Sequence, residues 1–498
     1  MSIKSKARNA LPYSVAISVV NILVALFGIV LLVRHLEAKE YGIYALLNAL
    51  PALFNMLLAL GYDQYLARYV PSMTSGDTVR NTVWNIIFRR SVLVISFSIL
   101  MTVGFSGYAQ YFGLDGYFQH LSTYLVIVVF YIAHDLLKKS LLARFSQKTV
   151  LFNNIIHELG RITVIVYGVS IDAQLLFFIQ GLVVVQTLSF SVLGIVFLRQ
   201  YGVPPIMKIL RPIKETKEEK DYRWGSYIDK LGGSFLGTDI DRYVLAYFST
   251  NIQVAVYAIA TRILSKVMDI YPNRMFLYLI QPVVYSRYDE NKDDSQLNEA
   301  FRFLCSANNI IGFLLVAVFA PLGEELLLLV FDQEYVLQAY WPLLIFLGFL
   351  MLENMPLTIV AKAIQKPKIL IISKAAFIFN IAVGIPLAYY YGAAGMAVAT
   401  ATSGTIRNGI IYILVNRHIT LRMPWLAILK SILNAALTIL AIVLLSQVIV
   451  GLVLFKAVFG VLIYLLLLKY NSVFTPSEAK LLISLTPPKF KKIAAALV

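Results

Sequence analysis

The sequence is poor in charge and in long polar segments. Asp, Glu, Lys and Arg make up 14% of its 498 residues, whereas they make up about 25% of an average soluble protein. Hydrophobic residues make up 59%, and the mean hydropathy is +0.75. These proportions exclude a soluble globular protein, because its surface needs more charged side chains than this chain can supply.

Residues typical of enzymes and metal sites are also scarce. The single cysteine, Cys305, excludes an internal disulfide and a C-x-x-C metal site. The five histidines are scattered, and the chain has no HExxH helix, P-loop or G-x-S-x-G elbow. We therefore expect a protein that is not an enzyme and that holds no cofactor or metal.

Long apolar runs recur along the chain, each of about 17 to 25 residues, which is the length that crosses a bilayer as a helix. The first run follows a basic segment and lacks a small-residue cleavage site, which favours a membrane span over a removed signal peptide. The fourteen predicted spans are 12–33, 41–61, 91–111, 121–137, 150–169, 173–198, 226–248, 254–271, 301–319, 337–359, 369–391, 393–415, 426–448 and 452–468. The expected fold is an all-α membrane protein.

The 43 Lys and Arg residues outnumber the 27 Asp and Glu residues, and their placement follows the predicted spans. One set of alternate connections, together with both ends of the chain, holds nearly all the loop cations, whereas the other set holds Arg34 and Lys39. Cytoplasmic loops carry such an excess. The alternation predicts a cytoplasmic (inner) membrane protein with both termini in the cytoplasm, and it argues against nucleic acid as a partner.

The longest polar interruption separates six predicted spans from eight. Segments 40–46 and 253–259 are similar, and each follows an arginine, Arg34 or Arg242. If this similarity reflects a repeat, two six-helix lobes face each other across a cavity and two helices are added. The predicted domains are an N-terminal lobe at 1–198, a cytoplasmic linker at 199–225, a C-terminal lobe at 226–415, spans thirteen and fourteen at 416–470 and a cytoplasmic tail at 471–498.

Several cations fall inside predicted spans, where a charge at the bilayer centre costs about 2.5 to 3.5 kcal/mol. They are Arg161, Lys230, Arg242, Arg262, Lys266, Arg407 and Lys456, and Arg274 follows just after predicted span eight. Fewer acids lie in the same spans, so the surplus positive charge favours an anionic ligand in a cationic cavity. The predicted substrate-binding residues are Arg262, Lys266, Arg242, Lys230, Arg407, Arg34 and Arg274.

Internal ion pairing is the alternative for part of this set. The helical spacing predicts pairs between Asp239 and Arg242 and between Glu158 and Arg161, and it places Arg262, Lys266 and Asp269 on one face of span eight. Arg34 is also explained as an anchor at the membrane interface. Arg407 has no acid within one helical turn, which makes it a better ligand candidate.

Glu353 is an isolated acid in span ten, followed by Asn354 and, shortly after, Pro356. A desolvated carboxylate binds a proton more readily, so Glu353 could couple transport to a proton gradient. The alternative is a cytoplasm-facing cap, if span ten ends early. The other candidates for binding a coupling ion are Asp239, Asp241 and Asp269.

Four short motifs follow one another along the chain: Glu40 to Leu46, Leu60 to Arg68, Tyr257-Ala258 and Tyr391 to Ala397. With these motifs and its predicted spans, the sequence resembles the Wzx-type polysaccharide (O-antigen) flippases. These form the polysaccharide transporter family of the multidrug/oligosaccharidyl-lipid/polysaccharide (MOP) exporter superfamily, which also contains the MATE transporters.

The resemblance implies a two-lobed carrier that moves a polyprenyl-linked oligosaccharide across the membrane by alternating access, with H⁺ or Na⁺ coupling. It implies the lipid-linked oligosaccharide, membrane lipids and the polysaccharide polymerase machinery as partners of a monomeric carrier. Two other functions stay open. A MATE-like drug or metabolite antiporter would favour acidic sites, and a membrane glycan polymerase or ligase would need longer external loops.

Overall fold

The structure is a computed structural model that describes residues 26–144, 146–210, 213, 215–269, 271, 294–364, 366, 368–476 and 478–479. Within these ranges the regular elements are helices. The chain divides into two compact units, Met1–Ala258 and Ile259–Val498, and each is described by itself. The predicted lobe and linker boundaries remain a prediction.

The first unit is built around a long helix, α7, which packs against α3, α4, α5 and α9. Large apolar side chains on these helices are fully buried, among them Phe54, Leu136 and Phe178. The α-helices of this unit are α1 Leu26–His35, α2 Ala38–Leu47, α3 Leu50–Leu58, α4 Tyr62–Tyr69, α5 Gly76–Val103, α6 Phe105–Tyr108, α7 Phe118–Ala143, α8 Gln147–Ser170, α9 Leu175–Tyr201, α10 Ile206–Leu210, α11 Lys217–Ser234, α12 Thr238–Phe248 and the start of α13 Asn251–Asp269.

The second unit is built around helix α14, which packs against α15, α19 and α20, while α15 also packs against α18. Its α-helices after α13 are α14 Asp294–Phe331, α15 Tyr340–Glu353, α16 Leu357–Ala363, α17 Lys368–Ser373, α18 Ala376–Asn416, α19 Trp425–Val448 and α20 Val453–Asn471. Many large apolar side chains on the outer helix faces of both units are exposed, as expected where a helix meets lipid tails.

Eight stretches of the described chain are long and apolar enough to cross a membrane: Ala38–Leu58, Gly76–Val103, Leu175–Tyr201, Leu297–Phe331, Glu334–Ala363, Lys368–Asn416, Trp425–Val448 and Val453–Asn471. This finding confirms an all-α, multi-span membrane protein. Helices α7, α8, α12 and α13 lie at predicted spans four, five, seven and eight. Most of predicted span one lies outside the described residues, and the count of fourteen stays a prediction.

Helix α18 covers predicted spans eleven and twelve and is interrupted at Gly392, whose φ of 56° and ψ of −134° are not helical. A straight helix of 41 residues would be about 60 Å long, roughly twice the thickness of the bilayer core. The interruption therefore divides the element where the sequence predicts two spans. Only glycine adopts this backbone conformation at little cost.

The predicted linker contains regular structure. Helix α10 and the first part of α11 lie within 199–225, and α11 continues into predicted span seven, which breaks before α12. Thr216 and Glu219 form a capping box at the start of α11, in which each side chain accepts a hydrogen bond from the backbone N–H of the other. This cap supplies partners for donors that the first turn of a helix leaves free.

Candidate functional site

Asp63, in the first turn of α4, binds three cations from three other helices. Its carboxylate lies 2.5 Å from Nη1 of Arg90 on α5, 3.1 Å from Nζ of Lys139 on α7 and 2.7 Å from Nζ of Lys230 on α11. We call these four residues the Asp63 cluster. One carboxylate therefore joins four helices of the first unit, and Lys230 is a predicted substrate-binding residue.

The Asp63 cluster has a buried side and a side that is accessible to solvent. The side chains of Asp63 and Arg90 are 5% and 0% exposed, whereas those of Lys139 and Lys230 are 34% and 24% exposed. Asp135 forms a second ion pair with Lys139 at 2.5 Å. Three cations then face two carboxylates, so the group carries net positive charge at its accessible side.

Burial raises the pKa of the Asp63 carboxyl, but the charges of Arg90, Lys139 and Lys230 together lower this pKa well below its ordinary value. The carboxylate therefore stays ionised at neutral pH. An ionised carboxylate in this place neutralises cations that would otherwise be buried without an anion.

Arg223 fixes α11 to the loop before α4. It is bidentate to the Glu215 carboxylate at 2.8 and 3.0 Å, and its Nη1 donates to the Leu60 carbonyl at 2.8 Å. Its guanidinium lies 4.7 Å from the centre of the Tyr62 ring. Gly61, at φ 76°, passes so close that a Cβ there would lie 2.1 Å from the Arg223 carbonyl oxygen. This close contact requires glycine.

Arg242 is buried and forms the predicted pair with Asp239, at 3.2 Å, and its Nη1 also donates to the Ala45 carbonyl at 3.5 Å. Asp241 is buried as well and accepts a hydrogen bond from the Tyr257 hydroxyl. Both aspartates, which are candidates for binding a coupling ion, therefore have partners inside the first unit.

In the second unit the structure brings together Glu353 and Arg407, which the sequence placed in separate roles. Glu353 ends α15, and Nη2 of Arg407 on α18 donates to its backbone carbonyl at 3.4 Å. Asn408 Nδ2 donates to the carbonyls of Leu352 and Glu353, each at 2.7 Å. Arg407 thus has an acid beside it from another helix, although none lies within one turn of its own.

Arg262 and Lys266 lie one turn apart on α13, and both are partly buried. In the ranges that the structure describes, Arg262 forms no ion pair. Asp269 ends α13, but its side chain lies outside the described part. Arg274 also lies outside the described residues, and Arg34 is exposed at the end of α1.

The two remaining intramembrane cations have carboxylate partners. Arg161 forms the predicted pair with Glu158 at 2.8 Å, and the buried Lys456 pairs with Glu325 at 2.9 Å. Glu325 therefore offsets one of the cations predicted from the spans, and it was not counted because it lies outside predicted span nine. Asp63, just past predicted span two, was not counted either, but Arg90 and Lys139 share its charge with Lys230. Counting acids at the span ends would have found both.

No group of three or more His, Cys, Asp and Glu side chains among the described residues is arranged to hold a metal ion.

Residues 7–271, more than half of the chain, match the family described as "Polysaccharide biosynthesis protein". A sequence comparison with curated proteins gave no match.

Solved structures share the fold. The chain is similar to the Lipid II flippase MurJ in an inward closed conformation, with 14% identity over 92% of this chain and 98% of that chain, at a TM-score of 0.73. It is also similar to an inward-facing MATE-family multidrug resistance transporter of the MOP superfamily, with 14% identity, 84% and 94% coverage and a TM-score of 0.56. The MATE multidrug transporter DinF-BH, solved in complex with a small molecule, gives 16% identity, 84% and 96% coverage and a TM-score of 0.55.

At these identities the solved structures establish the fold alone, and the family match establishes the membership that the sequence motifs predicted. The chain therefore belongs to the polysaccharide biosynthesis protein family, and it has the all-α, multi-pass membrane fold that MurJ and the MATE transporters share.

Proposed function

We propose that this protein translocates a polyprenyl-(di)phosphate-linked oligosaccharide across the cytoplasmic membrane by alternating access. The family match is the observation that carries the proposal, because it assigns the chain to polysaccharide biosynthesis. The likeness to the Lipid II flippase MurJ over 98% of that chain supports a lipid-linked substrate. In this proposal both termini lie in the cytoplasm, and the polysaccharide polymerase machinery receives the product of a monomeric carrier.

The intramembrane cations supply binding groups for the headgroup. Phosphate oxygens form strong, charge-assisted hydrogen bonds with Arg and Lys. Arg262 is the first candidate, since its side chain is partly buried and forms no ion pair within the described residues. Lys266 follows on the same helix. Lys230 and Arg407 would contribute after exchanging their present partners.

The remaining candidates have weaker support. Arg242 already pairs with Asp239 at 3.2 Å. Arg34, exposed at the end of α1, fits a first contact with lipid headgroups at the membrane interface. Arg274 lies outside the described residues, and its role in binding stays a prediction.

The decisive experiment measures translocation of a polyprenyl-diphosphate oligosaccharide in reconstituted vesicles. R262A and K266A should each slow translocation about 10-fold or more, because a hydrogen bond to a charged group contributes about 1.5 to 3 kcal/mol. K362A is the matched control, since Lys362 is exposed on α16, and it should retain the wild-type rate. Wild-type rates in R262A and K266A would remove both residues from the site. A wild-type protein that moves no such lipid would overturn the function itself.

The fold similarity to MATE transporters keeps drug export as a second candidate. A cationic interior disfavours cationic drugs through repulsion. The same vesicles, loaded with a fluorescent cationic dye under a proton gradient, separate the two functions. We expect no gradient-driven dye transport.

A further inference from the structure

Predicted span ten is interrupted within the second unit, and side chains of other helices donate hydrogen bonds to the backbone carbonyls at the interruption. Helix α15 ends at Glu353, and α16 begins at Leu357 after Pro356. A helix end leaves backbone carbonyls without partners in the helix, which is costly in a membrane interior. Asn408 donates to the carbonyls of Leu352 and Glu353, and Asn308 Nδ2 donates to that of Asn354 at 2.9 Å. Broken spans lined by polar groups are typical of ion and substrate sites in transporters.

At this interruption the carboxylate of Glu353 and the guanidinium of Arg407 lie next to each other but are not bonded to each other. The Arg407 Nη2 atom donates to the backbone carbonyl of Glu353 at 3.4 Å rather than to its carboxylate. Glu353 Oε1 and Arg407 Nε are both buried and have no hydrogen-bond partner in the part of the chain that the structure describes. Nor does a carboxylate–guanidinium ion pair form there between the two residues. A buried carboxylate oxygen and a buried guanidinium N–H therefore both retain unused binding capacity.

Gly404 makes room for the Glu353 side chain against α18. A Cβ at Gly404 would lie 2.9 Å from Cγ and 3.1 Å from Cδ of Glu353. Gly404 and Asn408 are one helical turn apart, so the same face of α18 both receives the carboxylate and caps the broken helix. Among the described residues, Arg407 is the charged side chain at this carboxylate, and the neighbouring side chain from α14, Asn308, is a neutral amide.

We propose that Glu353 and Arg407 form an exchange site, at which a proton or Na⁺ bound by Glu353 neutralises its carboxylate and so favours the binding of a phosphate group of the cargo by Arg407. The inference rests on the proposed function, since it names an anionic headgroup as the ligand. An empty, ionised Glu353 attracts Arg407 and repels a phosphate at the same place. A cation on Glu353 cancels both effects, so the cation and the phosphate promote each other's binding. By linkage, phosphate binding must then raise the affinity for the cation by the same factor.

The test uses the purified full-length protein and farnesyl diphosphate as the probe, with affinities measured by calorimetry at pH 6 and pH 8, in Na⁺ and in choline buffers. One linked proton changes the affinity by up to about tenfold for each pH unit. Wild-type protein should bind the probe more tightly at pH 6 than at pH 8, or more tightly in Na⁺ than in choline, depending on which cation is used. E353Q imitates the neutral acid and should bind tightly under all four conditions.

Two further variants define the roles of the pair. R407Q should bind the probe at least about 10-fold more weakly than wild type under its best condition, since a charge-assisted hydrogen bond is lost. E325Q is the matched control, because Glu325 is another acid of the second unit, and its carboxylate is paired with Lys456 rather than placed beside Arg407. The affinity of E325Q for the probe should depend on pH or Na⁺ as that of wild type does. The titration of the diphosphate itself is common to all variants and cancels in their comparison.

Two further ligands identify which chemical group the site binds. Farnesol, which lacks the diphosphate, should bind without dependence on pH or Na⁺. Inorganic pyrophosphate should show the same cation dependence as farnesyl diphosphate but bind more weakly, if the site belongs to a lipid-borne headgroup; equal affinity would assign the site to free phosphate.

A measurement on the unmodified protein keeps the proposal testable if E353Q fails to fold. Adding farnesyl diphosphate to wild-type protein in weakly buffered solution should take up about one proton per bound probe, unless Na⁺ is the linked ion and supports binding instead. Binding with neither proton uptake nor Na⁺ dependence would overturn the exchange site. If the affinity of E353Q for the probe depends on pH or Na⁺ as that of wild type does, the exchange site is also overturned, even if the vesicle assay still shows translocation. Failure of translocation in wild-type protein would instead overturn the proposed function.

Discussion

Asp63 and Arg90 form an ion pair of 2.5 Å between α4 and α5, with side chains that are 5% and 0% exposed. Arg90 Nη2 also donates to Asn55 Oδ1 at 2.7 Å, so the guanidinium is held from two sides. Because Lys230 shares the same carboxylate, removing this one acid leaves Arg90 and Lys230 without their ion-pair partner, whereas Lys139 keeps Asp135. The ion pairs of Asp63 therefore hold α4, α5, α7 and α11 together.

We predict that D63N strongly destabilises the protein. Breaking a buried ion pair from one side costs about 3 to 5 kcal/mol, because the partner charge stays buried. Thermal unfolding of the purified protein in detergent measures the loss. The control is D77N, since Asp77 pairs with Arg80 at 3.0 Å but is 70% exposed, and an exposed pair contributes about 1 kcal/mol or less. Equal losses in the two variants would contradict a structural role for the buried cluster.

The lowered pKa of Asp63 predicts how stability depends on pH. The folded carboxyl releases its proton at lower pH than an ordinary, unfolded aspartate, whose pKa is about 3.9. Its contribution is therefore fully present above that ordinary value and is lost as the pH falls below it. Unfolding midpoints measured from pH 6 down to pH 3 should fall more steeply for wild type than for D63N. Parallel curves would show that Asp63 is not the group responsible.

Gly61 offers a separate test of how α11 is held. G61A combines an unfavourable backbone conformation, at φ 76°, with a Cβ 2.1 Å from the Arg223 carbonyl oxygen. The backbone alone costs about 1 to 2 kcal/mol, and the clash adds to it. G116A is the matched control, because Gly116 has φ 80° and nothing within 4 Å of its added Cβ.

G61A should therefore lower the unfolding midpoint more than G116A does. It should also speed proteolysis between α9 and α11, since α11 would no longer be held by the Arg223 contacts. Similar midpoints and cleavage rates in G61A and G116A would show that the contact between Gly61 and Arg223 does not hold α11.

The sequence predicts the parts of this structure that depend on near neighbours. Apolar runs are a local property, so most described spans lie where the hydropathy places them. The pairs of Asp239 with Arg242 and of Glu158 with Arg161 are three residues apart on a helix, which brings their side chains together.

The candidate sites depend on residues that are distant in sequence. Asp63 is separated by 27 residues from Arg90 and by 167 from Lys230, and Arg407 by 54 from Glu353. No helical periodicity connects such positions, because their proximity depends on which helices pack together. For the same reason a count of charges inside predicted spans could not show which cations already have an anion.

The interruption at Gly392 leads to a last prediction, about membrane insertion. G392A places a side chain at φ 56° and ψ −134°, a region that costs a non-glycine residue about 1 to 3 kcal/mol. The variant can relieve this strain by continuing the helix, but a continuous α18 would be too long for one span and would misplace one end. We therefore expect less folded protein in the membrane and a lower unfolding midpoint. G409A is the control in the same helix, since an added Cβ there meets nothing within 4 Å, and Ala should be neutral or stabilising by up to about 1 kcal/mol. If G392A instead matches G409A in both yield and midpoint, α18 does not need the interruption to form two spans.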